Sequence, residues 1–248
     1  MPDPNEGRTS PPNAKVEALA KLLHEGHRVQ LLERVAKLEY DASRFEAFFI
    51  SLRGESDRAL AIVAFSFIDE QLRELLIRSM DLTTIGGPEP LFGSLGPLAT
   101  ASARIKLAAA LRWIDPKLYR DLDLIRKIRN EFAHNPFLSG FDQHRIVGFM
   151  SSMERFEEIV RKRFGENAQD PQTLALRTKF HIRCITAAMS MVAQVLTAPI
   201  ALSMGLHPLE ALASGGKAWP PPLNELTLAA SRAMIGLVQV PGRETAGA

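Results

Sequence analysis

The residues best suited to chemistry lie together in PKLYRDLDLIRKIRNEFAH, residues 116–134. Leu118, Leu122, Ile125, Arg129 and Phe132 step by four, three, four and three, so a helix puts them on one face. Arg129 therefore falls inside an apolar stripe, where an isolated guanidinium is costly unless an acid, another acceptor or a ligand meets it. Glu55, Asp57, Asp69 and Glu70 are the candidate mates, and Arg58 belongs to the same charged group. Asp123, Lys127, Asn130 and His134 step by four, three and four along an adjacent polar face. His134 stands in the last turn, at the negative end of the helix dipole.

Arg129, Asn130 and His134 together suit phosphodiester chemistry. The guanidinium would hold or polarise the phosphate, a histidine would serve as general acid or base, and Asn130 would orient either. A metal-independent endoribonuclease needs that toolkit, because the 2′-hydroxyl of RNA is itself the nucleophile. Residues five apart lie about 140° apart around a helix. Arg129 and His134 therefore converge only if the helix ends at 134 or if two chains meet there. The plainer reading makes Arg129 half of a buried ion pair and His134 an ordinary C-terminal helix residue.

Other groupings are weaker. His24 with His27, and His181 with Cys184, have helical spacing for a metal, but no further ligand cluster supports either, so no metal and no cofactor is expected. The loop Asp81–Pro97 is rich in glycine and proline. It lacks Gly-Lys-Ser/Thr and follows a helix, so it does not read as a nucleotide loop. Leu91, Phe92, Leu95 and Leu98 are expected to pin it onto the core. Residues 18–37 carry Gly26 near a helix-turn-helix turn position, but Lys21 and Leu22 stand where small residues are usual, so direct DNA binding is not expected. In RKRF (161–164), preceded by Glu154, Glu157 and Glu158, the charges fit a solvated helix face.

These residues sit in a chain of 248 with 46% hydrophobic and 23% charged residues. Thirty Lys and Arg against 28 Asp and Glu give a net charge of +2, too balanced for a general electrostatic nucleic-acid binder. A single cysteine rules out an internal disulfide and fits a reducing cytoplasm. Period-two alternation is nearly absent and helical periodicity runs almost throughout, which predicts an all-α multi-helix bundle of seven to nine helices with long amphipathic members. Residues 1–13 and 241–248 read as disordered tails, and 14–240 as one helical domain. Helices are expected over 14–25, ending at Gly26, and over 28–52. Ser56 caps a long one over 56–80. Others are expected over 99–114, 116–134 (capped by Asp115-Pro116), 142–164, from 171 onward, and 224–238. From Cys184 to Leu206 no residue is charged. The spacing of Thr186, Ser190, Gln194 and Thr197 makes a polar stripe there, and Pro199 interrupts the run, so this segment is expected to be a buried bundle helix and not a membrane span.

Three stretches together resemble the mannitol operon repressor family: ESDRALAIVAFSFIDEQLRELL (55–76), LFGSLGPLATASARIKLAAALRWI (91–114) and YRDLDLIRKIRNEFAH (119–134). The resemblance covers about residues 55–134, and leaves the helices of 14–52 as an addition. It implies an all-helical cytoplasmic transcriptional regulator without a DNA-binding motif of its own, acting through a protein partner or its own homodimer. Arg129-Asn130 with His134 is also similar to the R-N-x-x-x-H signature of HEPN-domain ribonucleases, in which helices of a dimer form the site. That similarity implies a HEPN-like core and RNA as the alternative partner.

Overall fold

A computed structural model describes residues 39–153, 172–204 and 221–238, with scattered positions in 26–37 and 160–170. The two expected tails, the helix over 14–25, the His24/His27 pair and the charges of 154–163 lie outside the described residues.

Among the described residues there are eight α-helices and no strand: α1 (Ala42–Ser51), α2 (Asp57–Ser79), α3 (Glu89–Phe92), α4 (Ala101–Ala110), α5 (Pro116–His134), α6 (His144–Ser151), α7 (Leu176–Ser203) and α8 (Pro221–Val238). α2 is the hub, packing against α4, α5 and α7, while α8 closes the bundle over α1 and α7. Side chains set the starts. Asp41 accepts from the N–H groups of Ser43 and Arg44, Ser56 from that of Ala59, and Thr100 from that of Ala103. Asp115 caps α5 as expected, accepting from Lys117 and Leu118 with Pro116 at the first helical position. The core joins Phe45 and Phe49 of α1, Leu60, Ile68, Leu72 and Leu76 of α2, Leu122, Ile125 and Phe132 of α5, and Phe180 of α7, all essentially sealed from water.

Several boundaries differ from expectation. Gly26 and Val29 are themselves helical, where Gly26 was expected to break the helix. The helix expected over 99–114 is Ala101–Ala110 and ends in a Schellman turn. Arg112 N–H donates to Ala109 O, Trp113 N–H donates to Ala108 O, and Arg112 takes the left-handed position at φ 58°. The helix expected over 142–164 breaks at 152–153. The hydroxyls of Ser151 and Ser152 donate back to Val147 O and Gly148 O, a bond that competes with helix continuation, and helix reappears at Val160 and Phe164.

α7 runs through Pro199 to Ser203, where an interruption was expected. It is long and apolar enough to cross a membrane by length and composition, with 61% of its most apolar window buried inside the bundle. Gln194 and Thr197 of its polar stripe are also buried. The Gln194 side-chain amide donates to the Asp115 carboxylate and accepts from the Asp115 N–H, and Thr197 donates to Ala193 O. Arg53 follows α1 and lies across Gly236 of α8, donating to Ala233 O at 2.9 Å. A Cβ at 236 would collide with that guanidinium.

Candidate functional site

α5 buries Leu118, Leu122, Ile125 and Phe132 as the stripe requires, and Leu124 and Ile128 besides. Arg129, on the same stripe, is half-buried. Its guanidinium carbon lies 5.9 Å from the centroid of the Phe65 ring on α2, and Nη1 donates to Asn130 Oδ1 at 3.0 Å. Nε is buried with no hydrogen-bond partner. Among the described residues no carboxylate pairs with Arg129, so the acid expected for it is absent. The four candidate acids are otherwise engaged or apart. Asp69 binds Arg104 of α4, Asp57 binds Arg177 of α7 at 2.7 Å, Glu70 lies 3.4 Å from Arg73, and Glu55 is exposed.

The Asp69–Arg104 pair is the most buried ion pair among the described residues. Arg104 Nε donates to Asp69 Oδ1 at 2.9 Å and Nη2 to Oδ2 at 2.6 Å, a two-pronged pairing. Nη1 donates to the carbonyls of Leu98 and Ala99 at 2.7 and 3.0 Å. Arg104 thereby ties the loop before α4 to the middle of α2. Phe92 and Leu98 of that loop are buried and Leu91 partly so, as expected. Leu95 is wholly exposed and pins nothing, because loop closure is achieved by backbone bonds (Leu98 N–H to Leu91 O) and by Arg104.

Arg58 forms no ion pair among the described residues and instead caps the end of α5. It donates to the carbonyl of Phe132, to those of Asn135 and Pro136 at 2.9 and 3.0 Å, and to that of Leu138 at 3.3 Å. A guanidinium there satisfies the carbonyls that a helix C-terminus leaves without partners. Arg58, Phe65 and Asp69 are spaced by seven and four, so one face of α2 presents all three toward α4, α5 and the loop after it.

The helix ends at His134, and that residue is exposed while Arg129 turns inward to Phe65. Within one chain the two therefore look in different directions. On the polar face, burial opposes ionisation of Asp123, but hydrogen bonds from Lys127 and Arg126 outweigh it and hold the carboxyl below its ordinary value. His181 and Cys184 are both buried, and no metal-holding cluster exists among the described residues. Burial, opposed by a bond to the Phe49 backbone and aided by the charges of Arg177 and Arg53, lowers the His181 pKa to about 4. Burial alone pushes the Cys184 thiol up, so it is inert. A separate cleft of about 370 Å³ lies between residues 39–45 and α2. It mixes Glu39, Asp41, Glu70 and Glu74 with Arg44 and Arg78, and no pattern in the sequence pointed to it.

The profile of the mannitol repressor family matches residues 55–201. The chain belongs to the mannitol repressor family. The match takes in α2 to most of α7, beyond the 55–134 stretch whose motifs were recognisable, and leaves α1 and α8 outside. The mannitol operon repressor of Escherichia coli K12 is 30% identical over 98 residues, 38% of this chain and 50% of that protein. The protein of the same name from E. coli O6:H1 matches to the same extent. The chain thus spans about half the length of the curated relatives it matches. No solved structure matches it.

Proposed function

We propose that this mannitol-repressor-family chain is a cytoplasmic transcriptional regulator that acts on a mannitol operon by binding another protein or a second copy of itself. The family match over 55–201 carries the reading. The geometry of α5 supports binding over chemistry, since Arg129 is turned against Phe65 and His134 stands in solvent on another side of the helix. The test is transcription from a mannitol-operon reporter with and without the chain, alongside a gel shift on the promoter. Repression together with no sequence-preferring shift by the chain alone is expected. Unchanged transcription overturns the regulator, and a specific shift overturns the indirect route.

One observation favours a second reading, a metal-independent ribonuclease. Arg129 has no acid mate among the described residues and its guanidinium is fastened by Asn130, which leaves charge for a phosphate. Two copies meeting at the ends of α5 would have to supply His134 to that site. Incubating the chain with RNA in the presence of a chelator is the test. Cleavage that disappears in His134→Ala supports the enzyme, and intact RNA with the native chain ends it.

A further inference from the structure

The charge of this chain is unevenly spread. Residues 104–130 hold eight Lys or Arg against three acids, an excess of five in a protein of net charge +2. Some of those cations are spoken for: Arg104 by Asp69, and Arg126 and Lys127 by Asp123. Lys106, Arg112 and Arg120 are exposed and form no ion pair among the described residues. Lys106 lies four residues before the end of α4 and Arg120 four after the start of α5, so each stands about 6 Å from the bend. The two helices pack on each other and both on α2, so their outer sides face away from it together. Arg112 is in the bend itself, beside exposed Leu111. Asp115, the acid nearest the bend in sequence, is occupied by the α5 N-terminus and Gln194.

Local preference argues against one of these cations. Arg112 holds φ 58° at the C′ position of a Schellman turn, where glycine is unstrained and an L side chain is not. A local rule broken at an exposed cation that has no ion-pair partner among the described residues marks a surface kept for something outside the fold.

We infer that the α4–α5 bend, through Lys106, Arg112 and Arg120 around Leu111, is the docking surface for an acidic, partly apolar segment of a partner protein. The inference rests on the regulator reading and names the chemistry of its partner. Protein is favoured over nucleic acid on two grounds. The free cations are few, whereas polyanion binding gains strength from neutralising many phosphates. An exposed leucine also sits among them, which a phosphate backbone has no use for.

The probe is a labelled peptide of glutamates with scattered leucines, titrated into the full chain by fluorescence anisotropy and compared with a single-stranded oligonucleotide of equal charge. Expected results are binding of the peptide that weakens with salt, and roughly tenfold weaker binding by Lys106→Glu/Arg112→Glu/Arg120→Glu. Reversing Arg44 and Arg78 instead leaves it intact. Arg112→Gly is expected to raise Tm by roughly 2–4 °C while weakening the peptide. The inference is overturned if the triple reversal binds as well as the native chain, if only the oligonucleotide binds, or if Arg112→Gly lowers Tm. The reporter separates the two failures. A native chain that represses, with a triple variant that represses equally, sinks the docking surface alone. A native chain that does not repress sinks the regulator whatever the peptide does.

Discussion

Arg104 and Arg129 stand on neighbouring helices, each among apolar neighbours, and meet opposite fates. Arg104 is 6% exposed and uses Nε, Nη1 and Nη2 on one carboxylate and two carbonyls. Arg129 stays half-buried, with one bond to the next residue, one aromatic face and an Nε that meets nothing. A buried guanidinium needs an acid or other acceptors, whereas one that keeps part of its surface in water can do with fewer. The first fixes architecture; the second keeps part of its surface in water and has no carboxylate among the described residues. His181 shows a third solution, burial as the neutral base.

Removing an acid tests this contrast most sharply. Asp69→Ala strands Arg104 and is expected to cost about 3–5 kcal/mol in urea unfolding. Arg104→Met in the same background should recover part of that loss; no recovery would mean the charge was never the burden. Acid titration comes next. The folded His181 pKa of about 4 lies below the ordinary 6.5, so the stability it confers is present above pH 6.5 and is lost as pH falls toward 4. The loss amounts to roughly 3 kcal/mol. His181→Phe should flatten that stretch of the stability–pH curve. Arg58→Ala uncaps α5 and is expected to cost about 2 kcal/mol, with faster amide exchange in the last turn of α5. Arg129→Met should change stability by less than about 1 kcal/mol. A loss as large as that of Asp69→Ala would erase the distinction between the two arginines.

Much of the architecture was legible. Ser56 and Asp115-Pro116 marked two helix starts, and the stripe from Leu118 to Phe132 marked the buried face of α5. Leu124 and Ile128 escaped because α5 is covered by α2, α4 and α7, a wider burial than a single stripe expects. Arg104 shares the buried face of α4 with Ile105 and Ala108, so the reasoning applied to Arg129 fitted it as well. Which arginine receives Asp69 depends on where α4 crosses α2, and that is a tertiary fact. The breaks at 111–112 and 152–153 depend on backbone turns that apolar periodicity does not register, and Leu95 was mistaken for an anchor because hydrophobicity says nothing of which loop side chain faces in.

Arg53 and Gly236 come from opposite ends of the chain, and both fall outside the stretch shared with the family. Even a methyl group at 236 would require the end of that arginine to shift. A glycine at 236 thus lets one arginine lace α8 to the turn after α1, joining two helices that the family match leaves out.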